Sequence, residues 1–516
     1  MPHEIKWFLE DKNGKWVDFK LHNRKLYPEN QFCFLNHKGI VDSASGWTDL
    51  KKDKLWLYNL HYFDELNAVG ASDRRQEHRS LITRWINENP AGQGIAWDPY
   101  PSSLRIVNWV KAFLDDLVPT NDMLSSLAKQ TDYLSQNLEF HLLGNHLLAN
   151  AKALIFAGLY YDCEEAKSWL KTGINIFEKE IDEQMLPDGG NFELSPMYHA
   201  IILTDLLDLI NICTAYPQKI QSSVLEKTKR QAEKMLKWLR VMTHSDGEVS
   251  FFNDSAIGVA PSPSLIEAYA LALDLRLPVG ERQVYTCLSD SGYSRIEFTK
   301  HSLLVDHARV GPDYLPAHAH ADSLSIEWSV GTQRVFVNSG TSLYGNSAER
   351  HRQRQTAAHN TVVVDGADSS QVWSGFRVAK RAYCNIRNIS ETADAVDLTV
   401  SHDGYNRLKG NVTHSREISV LPQTLTVADS LSGTWETAVC YYHLHPSMKI
   451  ERVAMNRVLL YCPDEATITV ICSEEIVIED STYHPQFGLS IENQKLKIEF
   501  TANSIKISFQ LNQIKL

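Results

Sequence analysis

Leu496-Lys-Ile-Glu-Phe500 alternates apolar and polar side chains, and Ile505-Lys-Ile-Ser-Phe509 repeats the pattern. Successive side chains on a strand point to opposite faces, so each stretch reads as a half-buried strand. Leu425-Thr-Val427 and Ile468-Thr-Val470 carry the same period of two. Working back along the chain, the change to this period falls after Pro278-Val-Gly280, at a boundary near residues 275–290. Short strands broken by turns over residues 281–516 predict a large antiparallel β-sandwich.

Upstream the period is helical. Leu225, Ala232, Met235, Leu236, Leu239 and Met242 recur at spacings of three, four and seven. Leu147, Leu148, Ala151, Leu154 and Ile155 do the same, as do Ile201, Leu203, Leu206, Leu207, Leu209 and Ile210. Loops such as Asn89-Pro-Ala-Gly92, Trp97-Asp-Pro-Tyr-Pro101, Pro187-Asp-Gly-Gly190 and His244-Ser-Asp-Gly247 separate these segments. No fixed-period repeat accompanies them, which argues against a helical solenoid. Residues 56–280 are expected to form an α/α toroid, an incomplete barrel of helical hairpins. Residues 1–55 read as an irregular N-terminal arm, with turn signals at Asn13-Gly14 and Lys38-Gly39.

The chain has 516 residues, 43% hydrophobic and 22% charged, which is ordinary for a multidomain globular protein. A net charge of −12 argues against a general nucleic-acid or anionic-membrane binder. Any acidic substrate therefore needs a local basic site. The eight cysteines lack CxxC spacing and read as free, mostly buried thiols. The N-terminal MPHEIKWFLEDKNGKW has no apolar signal-peptide core, and no run is expected to reach the length of a membrane span. The expected location is cytoplasmic, with a periplasmic or secreted one by another route left open.

The chemistry concentrates in four clusters. Pro316-Ala-His-Ala-His-Ala-Asp322 is answered by Ala357-Ala-His-Asn-Thr361. If the first stretch is extended, His318 and His320 share a face, and imidazoles can bind metal or move protons. The other clusters are Pro99-Tyr-Pro-Ser-Ser-Leu-Arg105 with Asn108-Trp109, Gly144-Asn-His-Leu-Leu-Ala-Asn150, and Asp188 to His199. Each sits at the start of an expected helix, where it reads either as a cap or as part of an anion site. Leu55-Trp-Leu-Tyr-Asn-Leu-His-Tyr-Phe63 reads equally as core or as a surface for stacking sugar rings. Glu349-Arg-His-Arg-Gln-Arg354, followed by Arg377, Lys380 and Arg381, forms a basic island suited to carboxylate or sulfate.

No nucleophile elbow, phosphate loop or dinucleotide fingerprint occurs. Tyrosine, histidine and amide together suit proton abstraction beside a carboxylate, with the enediolate stabilised by hydrogen bonds. That is β-elimination on a uronic acid.

The chain resembles the heparinase II/III-like polysaccharide lyases. The resemblance rests on Trp56 to Phe63, Asn145-His146, Ser195-Pro-Met-Tyr-His199, Ala317-His-Ala-His-Ala-Asp-Ser-Leu-Ser325, Asn338-Ser-Gly-Thr341 and Thr356 to Gly366. It implies a helical toroid followed by a β-sandwich. It also implies a lyase acting on a uronate-containing acidic polysaccharide, of a kind associated with bacterial capsule or exopolysaccharide loci. Asn145 resembles the amide that neutralises the uronate carboxylate, with His146 beside it. Tyr198 resembles the catalytic acid, and His318 the partner base facing Asn145 and Tyr198 across an interdomain cleft. His320, Asn338 and His359 stand where the family holds a metal, usually zinc, although the pattern has Asp at the position of Asn338. Tyr58, His61, Tyr62, Arg105, Asn108, Trp109, Glu193, His199, Tyr344, Arg350 and Arg354 are the candidate substrate contacts. Two rival readings stand beside this one. One is a glycoside hydrolase using carboxylates among Asp98, Asp188, Glu193 and Asp254. The other is a non-catalytic polysaccharide-binding or assembly protein.

Overall fold

The computed structural model describes residues 6–277, 283–463 and 466–512. Pro278-Val-Gly280 lies outside them. Helices predominate first: α1 (Lys54–Tyr62), α2 (Arg75–Glu88), α3 (Pro99–Asp115), α4 (Asn121–Gln136), α5 (Gly144–Tyr160), α6 (Glu164–Gln184), α7 (Pro196–Ala215), α8 (Ser222–Val241) and α9 (Pro263–Ala272). Local chemistry sets their starts. Asp53 accepts from Leu55 N–H ahead of α1, Thr120 caps α4 through Met123 N–H, and proline opens α3. Strands follow from Tyr285, with one short helix, α10 (Ala348–Arg354), among them.

Grouped by contacts, the chain forms two compact units. The helical unit comprises Met1–Met185, Ile201–Glu233 and Ser264–Leu277. The strand-rich unit comprises Leu186–Ala200, Lys234–Pro263 and Pro278–Leu516. A single changeover near residue 280 does not describe this division. Trp238, Met242 and Phe252, from the helical part of the sequence, pack in one cluster with Leu288, Tyr293 and Leu304. The segments bearing Tyr198 and Asp254 thereby belong with the strands.

In the helical unit, α3 packs on α1, α4 and α5, and α5 packs along α6. The arm before α1 is less irregular than expected. Leu26–Tyr27, Gln31–Phe34 and His37–Ile40 form a three-stranded antiparallel sheet. Its second turn lies at Leu35-Asn36, both at positive φ, rather than at Lys38-Gly39. Gly39 is a strand residue, and a side chain there would collide with the Trp56 ring. Helix α7 is long and apolar enough by composition to cross a membrane, against the expectation that no run would be. It is a core helix, 83% buried in its most apolar window. Its Asp205 and Asp208 are paired with Lys152, and Asp208 also with Lys111.

The strand-rich unit is an antiparallel sandwich. A five-stranded sheet runs in order from Tyr285–Leu288 through Tyr293–Glu297, His301–Asp306 and Ile326–Val330 to Gln333–Phe336. An eight-stranded sheet contains Thr413–Leu421, Thr424–Ser432, Ser504–Leu511 and Thr467–Cys472 as neighbours. A four-stranded sheet includes Val362–Val364, Ala438–His443 and Ile491–Glu499. Trp328 and Phe336, Val427 and Phe509, and Tyr442 and Leu496 bring all three into one buried core. The alternating stretches quoted above lie in these strands, and their buried positions recur every second residue. All eight cysteines are free, four of them buried and four half-buried.

Candidate functional site

In the strand-rich unit, polar groups converge on Asp254. This carboxylate is fully buried and takes a bidentate pair from Arg350, with Nη2 at 2.7 Å from Oδ2 and Nη1 against Oδ1. Nδ1 of His318 lies 2.9 Å from Oδ2, and Nε2 of His320 lies 2.9 Å from Oδ1. Burial alone would raise the Asp254 pKa, but Arg350 and the two imidazoles hold it well below the usual carboxylate range. Asn253, at φ 56°, braces the same loop. Its side chain donates to Leu194 C=O at 2.9 Å and accepts from His320 N–H at 3.0 Å.

Pro316–Asp322 is a turn and loop, not the strand on which the shared-face argument relied. The two imidazoles are instead brought to one carboxylate by loop geometry. Holding Nδ1–H of His318 on Asp254 leaves Nε2 as the position where the ring can take or give a proton. That nitrogen is 3.4 Å from Oε2 of Glu193. The Tyr198 ring lies over His318 with centroids 3.9 Å apart, and its hydroxyl is 2.8 Å from that of Tyr344. Burial pushes the Tyr344 hydroxyl well above its ordinary pKa, and Asp254 adds to the rise. Tyr198, His318, Tyr344 and Glu193 thus form one cluster, with a tyrosine hydroxyl and an imidazole side by side.

His320 and His359 form a second pair behind it, with ring centroids 5.3 Å apart. Nδ1 of His359 bonds to Oδ1 of Asn338 at 3.0 Å, an oxygen that also accepts from Ser325 Oγ at 2.7 Å. With those tautomers, His320 Nδ1 and His359 Nε2 are buried lone-pair nitrogens without hydrogen-bond partners. Two such nitrogens are half of a tetrahedral zinc set. Asn338 supplies no third donor, because its oxygen is spent and its unpartnered Nδ2 cannot ligate. Asp322 gives Oδ2 to Asn253 N–H at 3.1 Å. Among the described residues no group of three or more His, Cys, Asp or Glu converges as a metal site. The residues present therefore do not fit the zinc that the resemblance implies.

The helical unit carries Asn145 and His146 in the first turn of α5. Leu143, just before it, sits at φ 58° and ψ −154°, a region ordinarily left to glycine. Such strain is held only by surroundings that over-determine it. Gln184 grips the Gly144 carbonyl at 3.0 Å. Glu139 receives His146 Nδ1 at 3.0 Å and Asn150 Nδ2 at 3.0 Å. The Asn145 side chain makes no hydrogen bond among the described residues. An aromatic row runs from Tyr58 to Tyr62 (6.5 Å), Tyr100 (5.9 Å) and His146 (4.4 Å). Tyr58 also donates to Asp98 at 2.7 Å.

Several candidate substrate contacts prove to be scaffold. Arg105 is fully buried, bonded to Gln130 and Ser102 and stacked on Trp85 at 4.0 Å. His61 is fixed between Trp47 C=O and Trp85 Nε1, and burial lowers its pKa to about 3. Asn108 bridges Tyr62 C=O and Asp64, and Trp109 packs against Phe63 and Trp85. His199 stacks on Trp238 and bonds to Met235 C=O, with its pKa lowered by burial to about 3. Arg350 and Arg354 are fully buried, so the basic island is not a charged surface there. Arg350 serves Asp254, and Arg354 serves the carbonyls of Ala319, Ser374 and Arg377. Sequence reasoning named Asp254 only as a hydrolase carboxylate. Its signal is a polar Asn253-Asp254 pair placed directly after Phe251-Phe252. Glu139 lies outside the clusters read from the sequence, and Tyr100 enters only as a member of the Pro99–Arg105 cluster.

Comparison with known proteins agrees with this architecture. Residues 7–269 match the family described as Heparinase II/III N-terminus, and residues 285–511 match Heparinase II/III-like, C-terminal. A heparin-sulfate lyase of Bacteroides stercoris is 26% identical over 524 residues, covering 87% of this chain and 73% of that protein. A crystal structure of heparinase III superposes with a TM-score of 0.71 at 17% identity, covering 96% of this chain and 83% of that one. A chondroitinase AC lyase structure gives a TM-score of 0.55 at 10% identity, covering 95% and 79%.

Proposed function

The chain belongs to the heparinase II/III-like family, and from that premise we propose that it is a polysaccharide lyase acting on a glycosaminoglycan-type acidic polymer. The observation that carries the reading is the Tyr198–His318 pair, with Asp254 fixing the imidazole tautomer and Tyr344 holding the tyrosine hydroxyl. In β-elimination His318 Nε2 removes the proton α to the uronate carboxylate. Electrons move through the enediolate to break the C4–O4 bond, and the Tyr198 hydroxyl protonates the leaving oxygen. The product is a 4,5-unsaturated uronate and a new reducing end. Asn145 is proposed to neutralise the uronate carboxylate, as the family resemblance implies, and a link to capsule or exopolysaccharide metabolism is part of the same proposal.

Two of the four candidate hydrolase carboxylates are committed elsewhere. Asp254 is saturated by Arg350 and two histidines, and Asp188 accepts from Ser291 N–H and Oγ and from Asp290 N–H. The two-histidine pair behind the site acts in this reading as a hydrogen-bonded support. The test is a panel of heparan, chondroitin, hyaluronan and bacterial uronate polymers, followed by ultraviolet absorbance of the unsaturated product. New reducing ends without that absorbance would sink the lyase reading.

A further inference from the structure

A two-stranded ribbon, Val372–Trp373 paired with Arg377–Val378, stands beside the His318 cluster within the strand-rich unit. Trp373 and Arg377 are direct cross-strand partners, so their side chains share one face. That face is open: Trp373 is 55% exposed and Arg377 is exposed. The other face carries Val372, which is buried. A large aromatic left in water forgoes the burial that usually stabilises it, so its position calls for an occupant. Arg377 makes no ion pair among the described residues, although the protein carries a net charge of −12.

The ribbon tip is rigidly held. Gly375 C=O accepts from Arg350 Nε at 3.1 Å, and Ser374 C=O accepts from Arg354 Nη1 at 3.0 Å. Ser374 takes φ 55°, and Gly375 lies so close to the Gly345 carbonyl that a Cβ would sit 2.1 Å from its oxygen. Arg350 is the same side chain that clamps Asp254, so one guanidinium ties the ribbon to the carboxylate orienting His318. Phe376, 37% exposed, extends the aromatic surface toward the site, 5.3 Å from Tyr344 and 6.3 Å from His318 between centroids.

We propose that this ribbon is a substrate-positioning platform, on which Trp373 stacks a sugar ring of the acidic polymer while Arg377 pairs with that sugar's carboxylate or sulfate. The proposal rests on the lyase reading for its reaction but not for its ligand. An indole face suits the C–H face of a pyranose, and a guanidinium suits a planar or tetrahedral oxyanion. Neither residue touches the reacting atoms. Their contribution is to binding that is equal in ground and transition states, which appears in KM.

The test uses the full chain with heparan sulfate and unsulfated hyaluronan as probes. Polymer retention is measured by affinity electrophoresis, and turnover by product absorbance. Trp373→Ala and Arg377→Ala are each expected to raise KM, or weaken retention, about fivefold or more, with kcat held within about twofold. Trp373→Phe is expected to recover most of the loss, and Arg377→Ala to flatten the salt dependence of binding. Unchanged KM and retention in both alanine variants would overturn the platform. So would loss of kcat at constant KM, or a Trp373→Ala effect confined to self-association. A wild-type protein that retains neither polymer overturns it as well. If wild type gives no unsaturated product but Trp373→Ala still loses retention, the platform stands and the lyase reading fails.

Discussion

Asp254 holds His318 through a single 2.9 Å contact between Oδ2 and Nδ1, while being itself fully buried and paired with Arg350. The carboxylate therefore has two jobs, fixing the imidazole and compensating a buried guanidinium. Asp254→Asn removes the charge but keeps the shape. It is expected to lower stability by about 3–5 kcal/mol, because Arg350 is left as an uncompensated buried charge. Turnover is expected to fall with it, because an amide can donate to Nδ1 and select the wrong tautomer. The folded-state pKa of Asp254 is depressed, so its stabilisation is full above the unfolded value of about 3.9 and is lost as pH falls through the folded value. Chemical denaturation across the acid range should show a flatter limb in Asp254→Asn than in wild type. Parallel limbs would count against the assignment.

The Tyr198 hydroxyl is the proposed acid, and Tyr344 is its hydrogen-bond partner at 2.8 Å. Tyr198→Phe is expected to reduce kcat by about 10²–10⁴-fold. It should cost about 0.5–1.5 kcal/mol of stability, since the half-buried Tyr344 hydroxyl loses this partner. Tyr344 is kept neutral by burial, so it can orient its neighbour but cannot act as a base at ordinary pH. Tyr344→Phe should therefore lower kcat by only about tenfold. Single-turnover measurement on both variants decides the order, and equal losses would remove the distinction between acid and orienter.

These assignments show what the chain discloses before folding. The periods of α5, α8 and the strands at Thr424–Ser432 and Ser504–Leu511 are local, so helices and sandwich were legible from neighbouring residues alone. Lys38-Gly39 was misread as a turn because the glycine answers Trp56, a contact between separate elements. The polar clusters were located, but not which members were spent. Arg350 meets Asp254 across 96 positions, and Arg105 meets Gln130 across 25. Polar density marks a region, whereas the satisfaction of each group depends on partners that only the fold supplies. Thus Tyr198 and His318 came together, while His61, Arg105, His199, Arg350 and Arg354 turned inward.

Arg416 illustrates such a partner. It is buried in the sandwich, with Nε and Nη2 on Asp429 at 2.7 and 2.9 Å. Its Nη1 donates to Leu324 C=O and Asn360 C=O, both at 2.7 Å. Leu324 follows the His318–His320 loop and Asn360 follows His359, so one guanidinium pins both histidine segments. Arg416→Met is expected to cost about 3–5 kcal/mol, because Asp429 stays buried without its main counter-ion. Arg416→Lys cannot span a carboxylate and two carbonyls, and should lose a smaller amount, about 1–3 kcal/mol. Urea midpoints measure both, and an Arg416→Met variant within about 1 kcal/mol of wild type would refute the clamp.

Asn338 stands beside the His320–His359 pair. Its amide orients His359 and accepts from Ser325, leaving two buried imidazole nitrogens and no third donor. A carboxylate at this position adds both negative charge and a hard oxygen ligand, which a tetrahedral zinc set with water can use. Asn338→Asp is expected to retain about one zinc per chain after dialysis against the metal, while wild type retains well below that. Zinc at about a hundredfold excess over its dissociation constant should then stabilise Asn338→Asp by about 2.7 kcal/mol and leave wild type unmoved. Elemental analysis and thermal melting with and without chelator read the two effects separately. Stoichiometric zinc in wild type, released with loss of stability by chelator, would show that the two histidines recruit a donor other than Asn338.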